Sequence, residues 1–244
     1  MEKATNLSVV IPAYNESARI AESLDRILAY LRGDWPGKAG FEIIVVDDGS
    51  TDDTRALVTA AAEANPKVRV VAYDDNRGKG YAVREGVLAS TGDRVLFSDA
   101  DLSAPIEDLP LLEAALEQGF DIAIGSRALP GSILTTRQPL YRELGGKALN
   151  LAIRALAVPG IHDTQCGFKL FRGDAARRIF GKCTLCRWSF DVEALYLARR
   201  MGYRIAEVPI HWGHKEGSKV HPFSDGLKIL ADLAHIRLRR YELG

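Results

Sequence analysis

The sequence predicts an α/β fold in which a mostly parallel sheet is flanked by helices. Three observations support this prediction. Short apolar runs alternate with helical patterns over the first 125 residues, the spacing suits strand–helix–strand units, and acidic residues follow several of the apolar runs. Ligands of such sheets bind beyond the carboxyl ends of the strands. We therefore expect the functional residues at that edge.

The elements of the first half follow one another in a regular order. Apolar runs predict strands at residues 7–11, 41–46, 68–73 and 95–97. Between them, helical patterns cover residues 16–31, 51–64 and 78–89. A helix at 108–117 and a strand at 120–125 extend the same sheet.

The second half is less regular. Residues 129–139 are predicted to form a loop, and residues 140–158 a long amphipathic helix. A strand at 166–171, a helix at 191–201, a strand at 205–210 and a last amphipathic helix at 223–241 follow. No linker rich in proline, glycine or serine separates two parts, so we expect one domain over residues 1–244.

Composition excludes several classes of protein. Of 244 residues, 47% are apolar and 26% charged, which argues against disorder. Thirty-two basic residues balance thirty-two acidic ones, which argues against a general nucleic-acid binder. No run of eighteen apolar residues spans a bilayer, and the first residues lack a signal-peptide pattern.

Three cysteines predict reduced thiols in a cytosol-like compartment. Cys183 and Cys186 have the spacing of half a zinc site, but no second pair follows them. We favour the interpretation that they are two packed thiols.

Polar and acidic side chains follow three of the predicted strands. These are Tyr14, Glu16, Asp47, Asp48, Asp99 and Asp101. Groups of this kind at one sheet edge repel one another unless a cation or hydrogen-bond donors lie among them. Two carboxylates two residues apart, Asp99 and Asp101, suit a hard divalent cation, with a bound phosphate and water completing its coordination.

The segment after the second strand has two interpretations. Gly49 permits a tight turn, and Ser50 with Asp53 is typical of a cap at the start of the next helix. The acids Asp47 and Asp48 can instead accept hydrogen bonds from a ribose or a base. We expect both to hold, for different residues. Lys79, between two glycines at a helix start, predicts an anion site, although the spacing is not that of a P-loop.

Several segments together resemble a known family. VVIPAYNE (9–16), VVDDGSTDDT (45–54), NRGKGYAVREG (76–86) and FSDADLSAP (97–105) resemble inverting glycosyltransferases of family 2, which have the A-type glycosyltransferase fold. HDTQCGFKLFR (162–172), RWSFDVE (187–193) and EGSKV (216–220) are more similar to the dolichyl-phosphate β-glucosyltransferases of that family than to its mannosyltransferases.

The resemblance implies transfer of glucose from UDP-glucose to a polyprenyl phosphate of the dolichyl type. It implies a nucleotide-sugar-binding half over about residues 1–130, and an acceptor and membrane-interface half over about residues 131–244. The implied donor-binding residues are Pro12, Ala13, Tyr14, Glu16, Asp47, Asp48, Lys79, Asp99 and Ala100. The implied ligands of Mg²⁺ or Mn²⁺ are Asp99, Asp101 and Ser103, where Ser103 stands at the position of a glutamine in the mannosyl enzymes.

The expected mechanism follows from charge. Metal and basic side chains neutralise the leaving nucleoside diphosphate, and the anionic acceptor attacks without a dedicated base. Cations must hold that acceptor, and the candidates are Arg127, Arg137, Arg142 and Lys219. The implied catalytic set is Asp99, Asp101, Arg127, Asp191 and Lys219. Asp191 and Glu193 lie near a catalytic acid of other members, or else orient Arg187 or cap a helix.

The lipid acceptor implies contact with a membrane surface. The helices at 140–158 and 223–241 have the pattern of interfacial helices, which is also the pattern of helices packed on a sheet. We expect peripheral binding at the cytoplasmic face. The alternatives are the same reaction with GDP-mannose, transfer to a sugar hydroxyl, and a nucleotide-sugar-binding protein without turnover; a homo-oligomer stays open.

Overall fold

The computed structural model describes residues 5–36, 40–136, 150–151, 153–213 and 222–243. Seven strands form one sheet: β1 (Thr5–Ala13), β2 (Gly40–Asp48), β3 (Val68–Tyr73), β4 (Arg94–Ser98), β5 (Ile122–Ser126), β7 (Phe168–Arg172) and β8 (Ile205–Pro209). Their order is β3-β2-β1-β4-β7-β5-β8. Two further strands, β6 (Ile133–Thr136) and β9 (His211–Gly213), form a separate ribbon.

Helices cover both faces of the sheet. They are α1 (Ile20–Gly33), α2 (Thr54–Ala64), α3 (Lys79–Leu88), α4 (Leu109–Glu117), α5 (Gly173–Phe180), α6 (Phe190–Arg200) and α7 (Pro222–Leu238). Helix α5 was not among the predicted elements. It has only eight residues, and its apolar side consists mainly of two alanines, Ile179 and Phe180, which is too short a pattern to separate from a turn.

The two faces of β1 explain the three layers. Leu7, Val9 and Ile11 pack with α1 and α4, whereas Val10 packs with α3, α5 and α6. All nine residues of β2 are buried. Strands covered on both faces are continuously apolar, as in the predicted α/β class. The predicted mostly parallel sheet with flanking helices is therefore confirmed.

One strand runs against the others. Strand β7 lies between β4 and β5 and is antiparallel to both. Phe168 at its start pairs with Ser98 at the end of β4. The predicted strand at 166–171 is thus shifted by one or two residues, and its reversed direction brings the segment before it to the carboxyl edge.

The predicted loop at 129–139 is wrong in part. Ile133–Thr136 forms β6, which pairs in parallel with β9. The partner strand lies more than seventy residues away in the chain. Local turn signals at Pro130 and Gly131 therefore do not reveal it.

Both amphipathic helices pack against the core where the structure describes them. In the first, residues 150–151 and 153–156 are helical, with Ile153 buried and Leu156 half exposed. In α7, Ile229, Leu233 and Ile236 are buried in the apolar cluster that also contains Val10 of β1 and Phe190 of α6. This supports the packed-helix interpretation for those faces. Among the described residues, no helix is both long and apolar enough to cross a membrane.

Candidate active site

The carboxyl ends of β2, β1 and β4 lie side by side, and the segment before β7 joins them. The three acidic segments that sequence analysis placed at one edge are therefore neighbours. Pro12 and Ala13 are the buried end of β1, and Tyr14 and Glu16 follow it half buried. The Glu16 carboxylate pairs with the Arg19 guanidinium at 2.9 Å.

Hydrogen bonds join the loop after β1 to the loop after β2. The Asn15 backbone N–H donates to Ser50 Oγ at 3.0 Å, and the Thr51 N–H donates to Asn15 Oδ1 at 2.8 Å. The Glu16 N–H donates to Thr54 Oγ1 at 2.7 Å. Asn15 has a φ of 50°, a left-handed conformation that asparagine tolerates. The two loops therefore form one rigid wall of the site.

The predicted cap formed by Ser50 and Asp53 is wrong. Ser50 Oγ accepts a hydrogen bond from the Asn15 N–H, and the Asp53 side chain makes no capping hydrogen bond. Instead, Asp52 Oδ1 accepts hydrogen bonds from both the N–H and the hydroxyl of Thr54. A side chain one residue earlier therefore satisfies the donors at the start of α2.

Both aspartates at the end of β2 are buried and have protein partners. Asp48 accepts hydrogen bonds from the Arg77 N–H at 2.9 Å and the Gly78 N–H at 2.7 Å, one on each oxygen. Asp47 Oδ2 accepts from Arg55 Nε at 2.8 Å. Asp48 thereby holds the loop that leads into α3, which is a structural task that the sequence did not reveal.

Asp99 lies at the centre of the edge. Lys79 Nζ, at the first residue of α3, is 2.7 Å from Asp99 Oδ1. Burial alone would lower the pKa of Lys79, but the carboxylates of Asp99 and Asp191 outweigh it and raise that pKa. A Cβ at Gly167 would lie 1.9 Å from Asp99 Oδ2, so only glycine leaves room for this carboxylate.

Asp101 lies in a tight turn after β4. Its Oδ1 accepts a hydrogen bond from the Ser103 N–H at 2.9 Å, and Leu102 between them has a φ of 48°. Ser23 of α1 holds Ala100 in place, because its Oγ donates to the Ala100 carbonyl at 2.7 Å. The carbonyl of Ser103 accepts from the Gly213 N–H, which joins the turn to β9.

Asp99 and Asp101 supply the hard oxygen donors that a divalent cation needs. The part of the chain that the structure describes holds no group of three or more carboxylate, imidazole or thiol side chains around one point. Asp99 and Asp101 are thus a candidate pair of cation ligands, and Ser103, the third predicted ligand, lies in the same turn. Lys79 engages one oxygen of Asp99, whereas the described partner of Asp101 is a single backbone N–H.

Asp191 and Glu193 have different environments in the first turn of α6. Asp191 Oδ1 is 2.5 Å from Nζ of Lys169, whose side chain is 2% exposed. Burial raises the pKa of Asp191 although the Lys169 ammonium opposes it. Glu193 accepts hydrogen bonds from the Thr184 and Leu185 N–H groups and from the Tyr241 hydroxyl. Glu193 therefore holds the backbone at residues 184–185 and the side chain of Tyr241 in place.

Arg127 follows β5 at the same edge and makes a bidentate ion pair with Asp163. Its guanidinium lies 5.4 Å from the centroid of the Trp212 ring. The other predicted acceptor cations, Arg137, Arg142 and Lys219, lie outside the described residues.

Sequence reasoning missed three charged residues near the edge. Lys169 pairs with Asp191, Asp163 pairs with Arg127, and Glu207 bonds the backbone of residues 162 and 163. Lys169 had a usable signal, because a lysine inside the apolar run of β7 must be buried with a counter-charge. Asp163 and Glu207 lie forty-four residues apart, and only the fold brings them together.

Comparison with known proteins agrees with this geometry. A family model described as Glycosyl transferase family 2 matches residues 8–180. The dolichyl-phosphate β-glucosyltransferase of Dictyostelium discoideum is 40% identical, over 98% of this chain and 75% of its own length. The Homo sapiens protein of that name is 40% identical over 96% and 75%, respectively.

Among solved structures, glucosyl-3-phosphoglycerate synthase from Mycobacterium tuberculosis superposes with a TM-score of 0.68. It is 23% identical, and the match covers 96% of this chain and 81% of that one. The likeness establishes the A-type glycosyltransferase fold. With the family model and the relatives, it confirms the resemblance expected from the strand-end motifs: the chain is a glycosyltransferase of family 2.

Proposed function

We propose that the enzyme transfers glucose, with inversion, from UDP-glucose to a polyprenyl phosphate of the dolichyl type. The 40% identity with dolichyl-phosphate β-glucosyltransferases over nearly the whole chain supports this activity. The site has the charges that the reaction needs. Carboxylates for a cation, the Lys79 ammonium and the Arg127 guanidinium lie at one sheet edge, and this observation carries the proposal.

On the donor side, the wall formed by residues 12–16 and 47–48 would receive the nucleotide. Asp101, with Asp99, would hold Mg²⁺ or Mn²⁺, which when bound neutralises the charge of the leaving diphosphate. The M. tuberculosis synthase has been crystallised with Mn²⁺ and UDP-glucose, which agrees with this choice. Lys79 adds a fixed positive charge beside Asp99, at the N-terminus of α3.

On the acceptor side, the nucleophile is an oxygen of the lipid phosphate. It is anionic at neutral pH and therefore attacks the anomeric carbon without losing a proton to the enzyme. The task of the protein is to hold two groups of like charge together in the reactive orientation. We assign this task to Arg127 and, outside the described residues, to Arg137, Arg142 and Lys219.

We further propose that the enzyme binds peripherally to the cytoplasmic face of a membrane. Its three cysteines are free thiols, as in a reducing compartment. Leu238 at the end of α7 is 82% exposed and is flanked by the exposed Arg237 and Arg239, a combination that suits anionic lipid. Vesicles containing anionic lipid should retain the protein in flotation; equal retention by neutral vesicles would contradict the role of the arginines.

The activity is tested by incubating the protein in mild detergent with polyprenyl phosphate and a panel of labelled UDP- and GDP-sugars. We expect label in the lipid phase from UDP-glucose alone, and none after chelation of divalent cations. Transfer from GDP-mannose would make it a mannosyltransferase. Transfer only to sugar hydroxyls would overturn the lipid acceptor, and metal-independent transfer would remove the cation from the proposal.

A further inference from the structure

We infer that Asp163 and Glu207 are positioning residues for Arg127, which they hold so that one edge of its guanidinium faces the acceptor phosphate. The inference rests on the proposed function, because it requires an anionic acceptor. It adds two residues to the site, neither of which was a candidate from the sequence. Three observations carry it: the contacts of Asp163, the contacts of Glu207, and the position of Trp212.

The first observation is that Asp163 uses both carboxylate oxygens on Arg127. Oδ2 accepts hydrogen bonds from the backbone N–H and from Nε of Arg127, at 2.9 Å and 2.7 Å, and Oδ1 accepts from Nη2 at 2.7 Å. A guanidinium is a planar group with five N–H bonds. Asp163 occupies the edge formed by Nε and Nη2. The edge formed by Nη1 and Nη2 has no described protein partner, and it can grip a phosphate with two hydrogen bonds.

The second observation is that Glu207 fixes Asp163. The Glu207 carboxylate accepts hydrogen bonds from the N–H groups of His162 and Asp163, at 2.8 Å and 3.0 Å, and it lies 2.8 Å from His162 Nδ1. Glu207 is in β8 and pairs with Ile124 of β5, three residues before Arg127. The contacts therefore lead from a sheet strand through the 162–163 backbone to the guanidinium, with no exposed link: Asp163 is only 5% exposed.

The third observation concerns the remaining freedom of Arg127. The Trp212 ring lies against the guanidinium, at 5.4 Å from its centroid. One edge of the group is thus held by a carboxylate, and an aromatic ring lies beside it. Asp163 balances the charge of Arg127, so the pair carries no net charge. Burial would raise the pKa of Asp163, but pairing with the Arg127 guanidinium outweighs it and lowers that pKa. Arg127 therefore acts through oriented N–H bonds, and orientation is what Asp163 and Glu207 provide.

The test is a double-mutant cycle on transfer to polyprenyl phosphate, with KM measured separately for donor and acceptor. Glu207→Gln replaces one acceptor oxygen by an amide group that faces N–H donors. We expect it to raise the KM for polyprenyl phosphate about tenfold, and to change the KM for UDP-glucose less than about twofold. Arg127→Lys, which cannot bind Asp163 and phosphate in the same geometry, should give a similar rise.

The cycle separates positioning from a merely structural role. If Glu207 acts through Arg127, the double variant has the acceptor KM of Arg127→Lys alone. Multiplicative effects, or an unchanged acceptor KM in Glu207→Gln, would overturn the inference. If Glu207→Gln does not fold, Asp163→Asn takes its place and should also raise the acceptor KM. The asparagine side chain has one acceptor oxygen for Arg127, whereas the aspartate has two.

Glu42→Gln is the matched control. Glu42 is also a buried carboxylate that accepts a backbone N–H, from Thr91 at 2.8 Å, but it lies near the start of β2, at the opposite edge of the sheet. It should lower stability without changing either KM. A wild-type protein that transfers nothing to polyprenyl phosphate overturns the proposed function and this inference together. If the wild type is active but the effects of Glu207→Gln and Arg127→Lys on the acceptor KM multiply in the double variant, only the inference is overturned.

Discussion

The two sides of the carboxyl edge are built differently. On the β1–β2 side, neutral groups such as Asn15, Ser50 and Thr51 join the two loops, and Asp48 accepts from two backbone N–H groups. The ion pairs there, Glu16 with Arg19 and Asp47 with Arg55, each join an acid to an arginine at the start of the next helix. On the β4–β7 side, the contacts are ion pairs. They are Lys79 with Asp99 at 2.7 Å, Lys169 with Asp191 at 2.5 Å, and Arg127 with Asp163 at 2.7 Å.

This difference separates shape from charge. The β1–β2 side provides a fixed surface of joined loops, in which Asp47 Oδ1 is buried without a hydrogen-bond partner. The ion-paired side contains charges that interact strongly in a partly buried site, and we expect these charges to act on the phosphates and the cation of the proposed reaction. Substitutions on the ion-paired side should therefore affect turnover most, and substitutions away from the carboxyl edge should affect mainly stability.

The largest expected effect is that of Asp101→Asn. The amide keeps the hydrogen bond from the Ser103 N–H but loses the charge that would bind a divalent cation. We expect glucosyl transfer to fall by about 10² or more, with an unchanged melting temperature. Asp75→Asn, at an exposed loop position, removes the same charge and should leave turnover intact. Similar turnover in the two variants would remove Asp101 from the chemistry.

Gly167→Ala tests the space around Asp99. A Cβ would lie 1.9 Å from Asp99 Oδ2, so the carboxylate must turn away from its present position beside Lys79. A displacement of this kind at reacting groups costs about 10² in rate. Gly33→Ala is the control, because a Cβ there meets nothing within 4 Å. Full turnover in Gly167→Ala would mean that the position of Asp99 does not matter.

Much of this edge was predictable because its signals are local. Asp99 and Asp101 follow an apolar run, and parallel strands bring such ends together, so the sequence was enough to place them. The cap on α2 was predicted from Ser50 with Asp53, whereas Asp52 accepts the hydrogen bonds from Thr54, because several spacings of serine and aspartate in this segment fit a capping pattern. Asp163 and Glu207 could not be placed, since their partners depend on an antiparallel strand between β4 and β5 and on the pairing of β5 with β8.

A smaller effect is expected from Tyr241→Phe, behind the ion-paired side. The Tyr241 hydroxyl donates to Glu193 Oε1 at 2.8 Å, and this contact joins the end of the chain to the segment around residues 184–185. Its loss should lower the free energy of unfolding by about 1 kcal/mol. Chemical denaturation measures this change. Turnover should persist, and a loss of turnover at unchanged stability would place Tyr241 in the site.

The smallest expected effect concerns thiol reactivity, and it compares two cysteines at the same edge. Burial, chiefly, raises the pKa of Cys166 to about 12, whereas Cys186 is exposed. Iodoacetamide at pH 8 should therefore label Cys186 and leave Cys166 unmodified in the native protein, as mass spectrometry of peptides would show. Equal labelling rates would mean that the segment before β7 opens readily.

The same pKa sets a direction for stability against pH. Because the folded value lies above the ordinary value of about 9, the unfolded chain ionises first, and the stability present below pH 9 is lost as the pH rises toward 12. Cys166→Ala should make that alkaline loss shallower. Cys186→Ala should not, because an exposed thiol ionises alike in both states. If Cys166→Ala does not change how stability falls with rising pH, Cys166 is accessible to water. The segment before β7, which contacts Asp99 through Gly167, is then not rigid.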